Sequence, residues 1–363
     1  MHPAVAVPLF VLGLALVAVI LDSAIRTFVL PRGVAVAFTR LVFVAIRWPF
    51  LARARRARTY EAGDGVMAMY VPIALLVLPA TWVATVALGY TAMFRALGAP
   101  GWRASFEASG SALFTLGFVH PGDLPKQVLT FSEAAIGLGL LALLISYLPT
   151  IYGAFSRREV PVAELSVLAG SPPSAAQLLI RAHRSGLLGH MDELWRTWGS
   201  WFAELGETHT SLASLVFLRS PAPDRSWVTA TGCVLDSAAL AQSTLDVPWS
   251  AHAGLCIRGG FLALRDIADF FAVDHDPDPP PDGPISITRD EFDSLCDELR
   301  DNGVPMRADR DQCWKDFAGW RVNYDQTLLA LAGVTVAPYA PWSSDRSPRY
   351  RRPPIRGRRR PRR

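Results

Sequence analysis

Apolar residues crowd the first part of the chain, in runs whose lengths separate what crosses a bilayer from what does not. Residues 4–21, 66–94 and 128–152 are each near or above the ~20 residues a helix needs to span the hydrocarbon layer. Between the second and third runs lies a shorter apolar segment, residues 102–114, which is too brief to cross. From Glu159 onward the pattern changes to helical periodicity, at 173–188, 191–205, 211–218, 226–245 and 251–271. This predicts an all-α membrane protein with three transmembrane helices and a helical, water-facing C-terminal part.

Charge sets the expected orientation. The first run is too poor in flanking signals for a cleaved signal peptide: Met1-His2-Pro3 supplies no basic region and no small-residue cleavage site follows cleanly. Arg26 and Arg32 follow this run, which predicts an N-terminus outside and the next segment in the cytosol. Residues 33–60 mix apolar positions with Arg40, Arg47, Arg53, Arg55, Arg56 and Arg58, the pattern of a basic amphipathic helix on the inner leaflet. Arg53, Arg55, Arg56 and Arg58 are the candidate contacts to anionic lipid. Their spacing is not the every-third repeat of a voltage sensor. Pro72 and Pro79 lie inside the second run, where membrane helices tolerate proline. Arg157 and Arg158 close the third run on the inside, leaving the C-terminus cytosolic in a multi-pass protein of the cell membrane.

The stretch that organises the chain is Thr115-Leu116-Gly117-Phe118-Val119, after the half-length segment and before the third span. In this order, short helix, Thr-x-Gly-Phe and spanning helix, the chain resembles the pore-loop potassium channels, over roughly residues 66–158. The resemblance implies a re-entrant pore loop: a pore helix over 102–114, a selectivity filter at Thr115, Leu116, Gly117, Phe118 and Val119, and an inner helix. Backbone carbonyls of residues 115–118 would replace the hydration shell of a cation, and the carbonyl end of the pore helix would favour positive charge. Phe118 is expected to wedge its ring against the pore helix. Val119 departs from the family, which closes its filter with a glycine, commonly left-handed; a β-branched residue there is a backbone outlier. The acidic residue that usually follows is displaced to Asp123. Gly137, Gly139 and Pro149 are the hinge candidates of the inner helix, since kinks localise at such residues. The resemblance further implies a homotetramer, with potassium ions as permeant species and no other cofactor.

Within the pore helix, Glu107 pairs with Arg103 at helical spacing, and Ser109, Gly110, Ser111 and Ala112 give a small face for close approach to the inner helix. In the C-terminal part, Leu194, Trp195, Trp198, Trp201, Phe202 and Leu205 form one apolar helix face, read as core. Residues 274–287 are an acidic, proline-rich linker whose likeness to a calcium loop fails at Pro280 and Arg289. Thr288 and Glu291 form a capping box that opens the next helix, and residues 313–331 form a helix with an aromatic stripe. Cys233, Cys256, Cys296 and Cys313 have no paired spacing and read as reduced, buried thiols. No nucleophile–base set, nucleotide fingerprint or histidine metal pattern is present, which argues against an enzyme. The tail, residues 346–363, carries ten arginines among prolines and is expected to be disordered. Lipid is its nearest anionic partner, and nucleic acid would bind it without specificity.

Composition agrees: 51% of residues are hydrophobic and mean hydropathy is +0.24, yet 19% are charged, so a membrane part and a soluble part share the chain. The expected order is an N-terminal transmembrane helix (1–32), a basic interfacial segment (33–60), a pore domain (61–158), a helical cytosolic domain (159–273), a linker (274–287), a C-terminal helical segment (288–345) and the tail (346–363). The expected function is passive conduction of a cation, potassium foremost, through a homotetrameric pore regulated by the cytosolic domain. The alternative is a non-conducting membrane sensor or scaffold that keeps the pore fold while Val119 spoils the filter.

Overall fold

A computed structural model describes residues 2–28, 37–120 and 122–347. Arg32 and residues 348–363 of the arginine-rich tail lie outside them. Among the described residues the chain is helical, without a strand, and three helices are long and apolar enough to cross a membrane. Two compact units emerge: Met1–Arg55 with Met69–Tyr152, and Arg56–Ala68 with Gly153–Arg363. The division differs from the expected boundaries, because a short helix ahead of the second span and the last part of the third both belong to the second unit.

In the first unit, α1 (Pro3–Phe28) lies along α4 (Tyr70–Ala96). Glycine makes their approach possible. A Cβ on Gly13 would overlap the carbonyl oxygen of Gly89, and a Cβ on Gly89 would sit 2.8 Å from Gly13 O, so backbone meets backbone as small residues permit in lipid. Val17, Ile20 and Ala24 then pack with Leu78, Trp82, Val86 and Met93, and Phe28 lies edge-on to Trp82 and Tyr147. Helix α2 (Ala37–Ala54) joins this unit: Thr39 shares hydroxyl bonds with Ser23 and Thr27, and Tyr70 donates to Phe43 O at 3.2 Å. Arg47, expected on the lipid face, is instead buried, while Arg53, Arg55, Arg56 and Arg58 are all exposed. After α5 (Trp102–Leu113), α6 (Leu124–Ala169) runs for 46 residues, about 69 Å. It is unbroken at Gly137, Gly139 and Pro149 and continues well beyond residue 158, where the third span was expected to end.

In the second unit the centre is α9 (Trp227–Ser243), buried on every side. Its sequence explains this, because small and apolar residues on all faces leave none for water. Around it lie α7 (Ala175–Arg184), α10 (Ala251–Phe270) and α12 (Arg310–Arg321), while α8 (Asp192–Ser211) packs along α10. The Trp195, Trp198, Trp201, Phe202 and Leu205 face is core, as expected. Asp236 is the one charge within α9. It is compensated by Arg321, itself fully buried, whose guanidinium bonds Asp236, Asp325 (2.7 Å) and Trp342 O (2.6 Å). Tyr324 donates to the same Asp236 oxygen at 2.9 Å.

Two expectations differ from the structure. Residues 313–331 are not one helix: α12 ends at Arg321 and α13 (Asp325–Thr335) starts afresh, with Asn323 turned back onto Gly319 O and Trp320 O between them. Beyond the 274–287 linker, α11 (Arg289–Asp301), opened by the Thr288/Glu291 capping box, shares one core with residues 159–273. Arg346 is not part of a loose tail; it bonds Glu291 at 2.9 Å, Asp345 at 3.0 Å and Ser286 O at 2.9 Å. The four cysteines are free and buried, and burial pushes the Cys256 and Cys296 thiols up to about 12.

Two segments flanking the spans are held inside this unit. Helix α3 (Tyr60–Ala68), which leads into α4, is fixed by Arg219, which pairs with Asp64 at 3.0 Å and donates to Tyr60 Oη at 3.1 Å and Val336 O at 2.9 Å. On α6, Arg158 is buried and donates to Leu215 O at 2.6 Å and Leu218 O at 2.8 Å, with Nη1 3.4 Å from His209 Nε2.

Two predictions follow from this packing. Gly13→Ala forces α1 and α4 apart and lowers stability by about 1–3 kcal/mol, whereas Gly139→Ala, with no atom within 4 Å of the added Cβ, leaves the melting temperature in detergent unchanged or slightly raised. Equal melting temperatures for the two variants would contradict the glycine contact. His209 is held well below its ordinary value of 6.5, first by burial and then by the Arg158 charge. Below that value only the unfolded chain takes the proton, so stability falls as pH drops through about 6, by up to ~1.4 kcal/mol per pH unit. A wild-type acid profile as flat as that of His209→Gln would contradict it.

Candidate pore-loop site

The expected site is a loop between α5 and α6. Helix α5 has 12 residues, about 18 Å, roughly half of what a span requires. Its buried face carries Ser105, Ala108, Ser109, Ser111, Ala112 and Leu113, so hydroxyls rather than large side chains meet the neighbours. Trp102 at its start is 58% exposed, and Arg103 pairs with Glu107 at 2.8 Å on the outer surface, as expected.

The loop takes its shape from the end of α5. Phe114 N donates to Gly110 O, Thr115 N to Ala112 O and Leu116 N to Ser111 O, which uses the last carbonyls of the helix. The Ser111 hydroxyl then accepts from both Phe118 N, at 3.1 Å, and Val119 N, at 3.2 Å. Donors of the loop are thus consumed on the α5 side. The carbonyls of residues 115–118 receive no hydrogen bond among the described residues, and residues 114–118 are exposed in the single chain. A row of open carbonyl oxygens beside the negative end of a helix dipole is suited to a cation.

Backbone dihedrals reinforce this. Thr115 has φ +54° and Gly117 φ +70°, while Leu116 between them and Phe118 after them are not left-handed. Left-handed residues at alternate positions set this loop apart from a regular strand. For Thr115, β-branched, the conformation costs about 1–3 kcal/mol, and strain of this kind gathers at functional sites. The outlier expected at Val119 is therefore found at Thr115. Val119 has no positive φ and its side chain packs, partly buried, on the core of the first unit, which a glycine could not do. Phe118 does not wedge against its own α5; it is 61% exposed, its amide rather than its ring being tied to the helix. Asp123 does not face the loop either. It caps the start of α6 through Lys126 N (3.1 Å) and pairs with Lys126 Nζ (2.8 Å).

Of the hinge candidates, Gly137 lies against α5, where a Cβ would overlap Leu113 O. Its lack of a side chain lets α6 pass over the last carbonyl of α5. Gly139 has open space around it, and Pro149 sits within continuous helix. Two residues that matter here carry no expected role. Ser111 shows no sequence signal beyond being small. Glu133 is the one acidic residue in the 128–152 run, and an ionisable group inside a spanning helix is itself a signal. It is fully buried on α6, with Oε1 2.6 Å from Ser109 Oγ of α5.

No family model, curated protein or solved structure is detectably similar to this chain.

Ser111→Ala removes the acceptor shared by two loop amides, a loss of about 1–3 kcal/mol. Hydrogen exchange at Phe118 N and Val119 N is expected to quicken about five-fold or more, with the amides of α9 unaffected. Unchanged exchange at both loop amides would show that the hydroxyl does not hold the loop.

Proposed function

We propose that this chain forms a cation-conducting pore, with potassium the foremost permeant ion, in the cell membrane. The observation that carries the reading is the loop at residues 115–118, where the amides of Thr115, Leu116 and Phe118 are tied to α5 while the carbonyls accept no hydrogen bond among the described residues. One such loop supplies one side of a coordination cage, so four chains around an axis are needed to replace a hydration shell. The exposure of Leu116 and Phe118 in the single chain, 62% and 61%, suits a surface covered by neighbouring copies. In this assembly α5 is the pore helix, α6 the inner helix and the 114–120 segment the re-entrant loop.

Positive-inside flanks support an outside N-terminus and a cytosolic second unit. That unit holds α3, ahead of α4, through Arg219, and the distal part of α6 through Arg158, so a rearrangement within it would pull on the segments leading into two spans. Regulation by the helical cytosolic domain rests on these two grips. Exposed Arg53, Arg55, Arg56 and Arg58 suit anionic lipid of the inner leaflet, each basic group near the surface being worth about 1 kcal/mol. A second reading, a non-conducting sensor or scaffold, is favoured by Val119 in place of the closing glycine.

The test is potassium and sodium flux through the purified full chain in liposomes. The pore reading predicts potassium flux that Gly117→Asp abolishes, and a higher potassium-to-sodium ratio in Val119→Gly. Absence of flux from a folded tetramer, persisting after the Arg158 grip is loosened by Arg158→Ala, would favour the scaffold.

A further inference from the structure

Behind the loop, α4, α5 and α6 meet at one hydroxyl. Ser109 Oγ lies 3.1 Å from the Ala87 carbonyl of α4 and 2.6 Å from Glu133 Oε1 of α6, and both Ser109 and Glu133 are fully buried. A carbonyl can only accept, and a serine hydroxyl has one hydrogen. If that hydrogen goes to Ala87 O, the short contact between Ser109 Oγ and Glu133 Oε1 requires a hydrogen from Glu133. The other carboxyl oxygen, Oε2, is buried with no hydrogen-bond partner among the described residues. For a carboxylate such an oxygen would be a naked buried charge; for the C=O of a neutral acid it is a far smaller cost.

No guanidinium or ammonium is bonded to Glu133 among the described residues to compensate a charge. Tyr90 of α4 reaches the neighbouring residue instead, its hydroxyl engaged with Ser132 Oγ at 2.9 Å. On α5, Arg103 and Glu107 are exposed and paired with each other.

We propose that Glu133 is a neutral carboxylic acid that donates to Ser109 and acts as a positioning residue for the pore loop. The relay is short. Glu133 on α6 fixes Ser109, and two residues on, Ser111 of the same helix holds Phe118 N and Val119 N. Close packing of Gly137 against Leu113, one turn further along α6, keeps the two helices in register. A bond from α6 to α5 thereby sets where the 115–118 carbonyls stand. The assignment of the proton is independent of conduction; the positioning of a filter rests on the pore reading given above.

The test uses the full chain in lipid. In infrared difference spectra, wild type at neutral pH shows the C=O stretch of a protonated carboxylic acid that is missing from Glu133→Gln. The glutamine amide can still donate to Ser109 Oγ, so this variant keeps slow exchange at Phe118 N and Val119 N and keeps the wild-type potassium-to-sodium flux ratio. Glu133→Ala and Ser109→Ala, which cut the relay from either side, each quicken exchange at those amides about five-fold or more and lower the flux ratio. If Glu133→Ala does not fold, Ser109→Ala carries the comparison. No neutral-acid band assignable to Glu133, or loop exchange in Ser109→Ala equal to wild type, overturns the assignment. A wild-type chain that conducts nothing while the band and the exchange pattern hold would defeat the pore reading and leave the proton on Glu133.

Discussion

Backbone that leaves a helix within a bilayer finds no water, so each amide must be satisfied by the protein or by an ion. In the proposed pore, residues 114–119 would face that constraint. Five of their six amides turn back onto the last turn of α5, three to its carbonyls and two to the Ser111 hydroxyl, while the carbonyls of residues 115–118 accept no hydrogen bond among the described residues. In the proposed pore, this asymmetry is what would let an uncharged loop attract positive charge. It also explains why the loop tolerates a left-handed Thr115: the bonds from Thr115 N and Leu116 N on one side and from Phe118 N on the other over-determine the dihedral between them.

The surrounding architecture follows from where side chains are small. Gly13 against Gly89 brings α1 onto α4, Gly137 against Leu113 O brings α6 onto α5, and the serines of α5 fill the remaining space with hydroxyls instead of methyl groups. Such a bundle is held by van der Waals contact and hydrogen bonds rather than by the hydrophobic effect, which is weak between helices in lipid. In the second unit an apolar α9 stands at the centre, with a buried charge network around Arg321. Removing one member of that network leaves the others uncompensated, which is why such networks are costly to break.

Much of this was legible in the sequence, because it depends on run length and periodicity. The three long apolar helices, the half-length segment before Thr115, the Thr288/Glu291 cap and the tryptophan face of α8 are local patterns. Features set by distant partners were not legible. The break after Arg321 lies beside that residue's bond to Asp236, a partner far away in the chain. Arg346 looks like the first residue of a loose basic tail until Glu291 is placed beside it. Val119 stands where the resembling family has a left-handed glycine, yet its side chain packs on the core, its amide bonds Ser111, and the left-handed β-branched residue is Thr115 instead. Glu133 was open to discovery as a lone carboxyl in an apolar run, whereas its bond to Ser109 was not.

The central claim is that residues 115–118 turn their carbonyls toward an axis shared by several copies of this chain. Electron cryomicroscopy of the purified full chain in lipid nanodiscs, with potassium present, tests it most directly. The account predicts four chains about one axis, the four loops facing it and cation density between their carbonyls. An assembly of another number, or loops directed at lipid with no density among them, would contradict it.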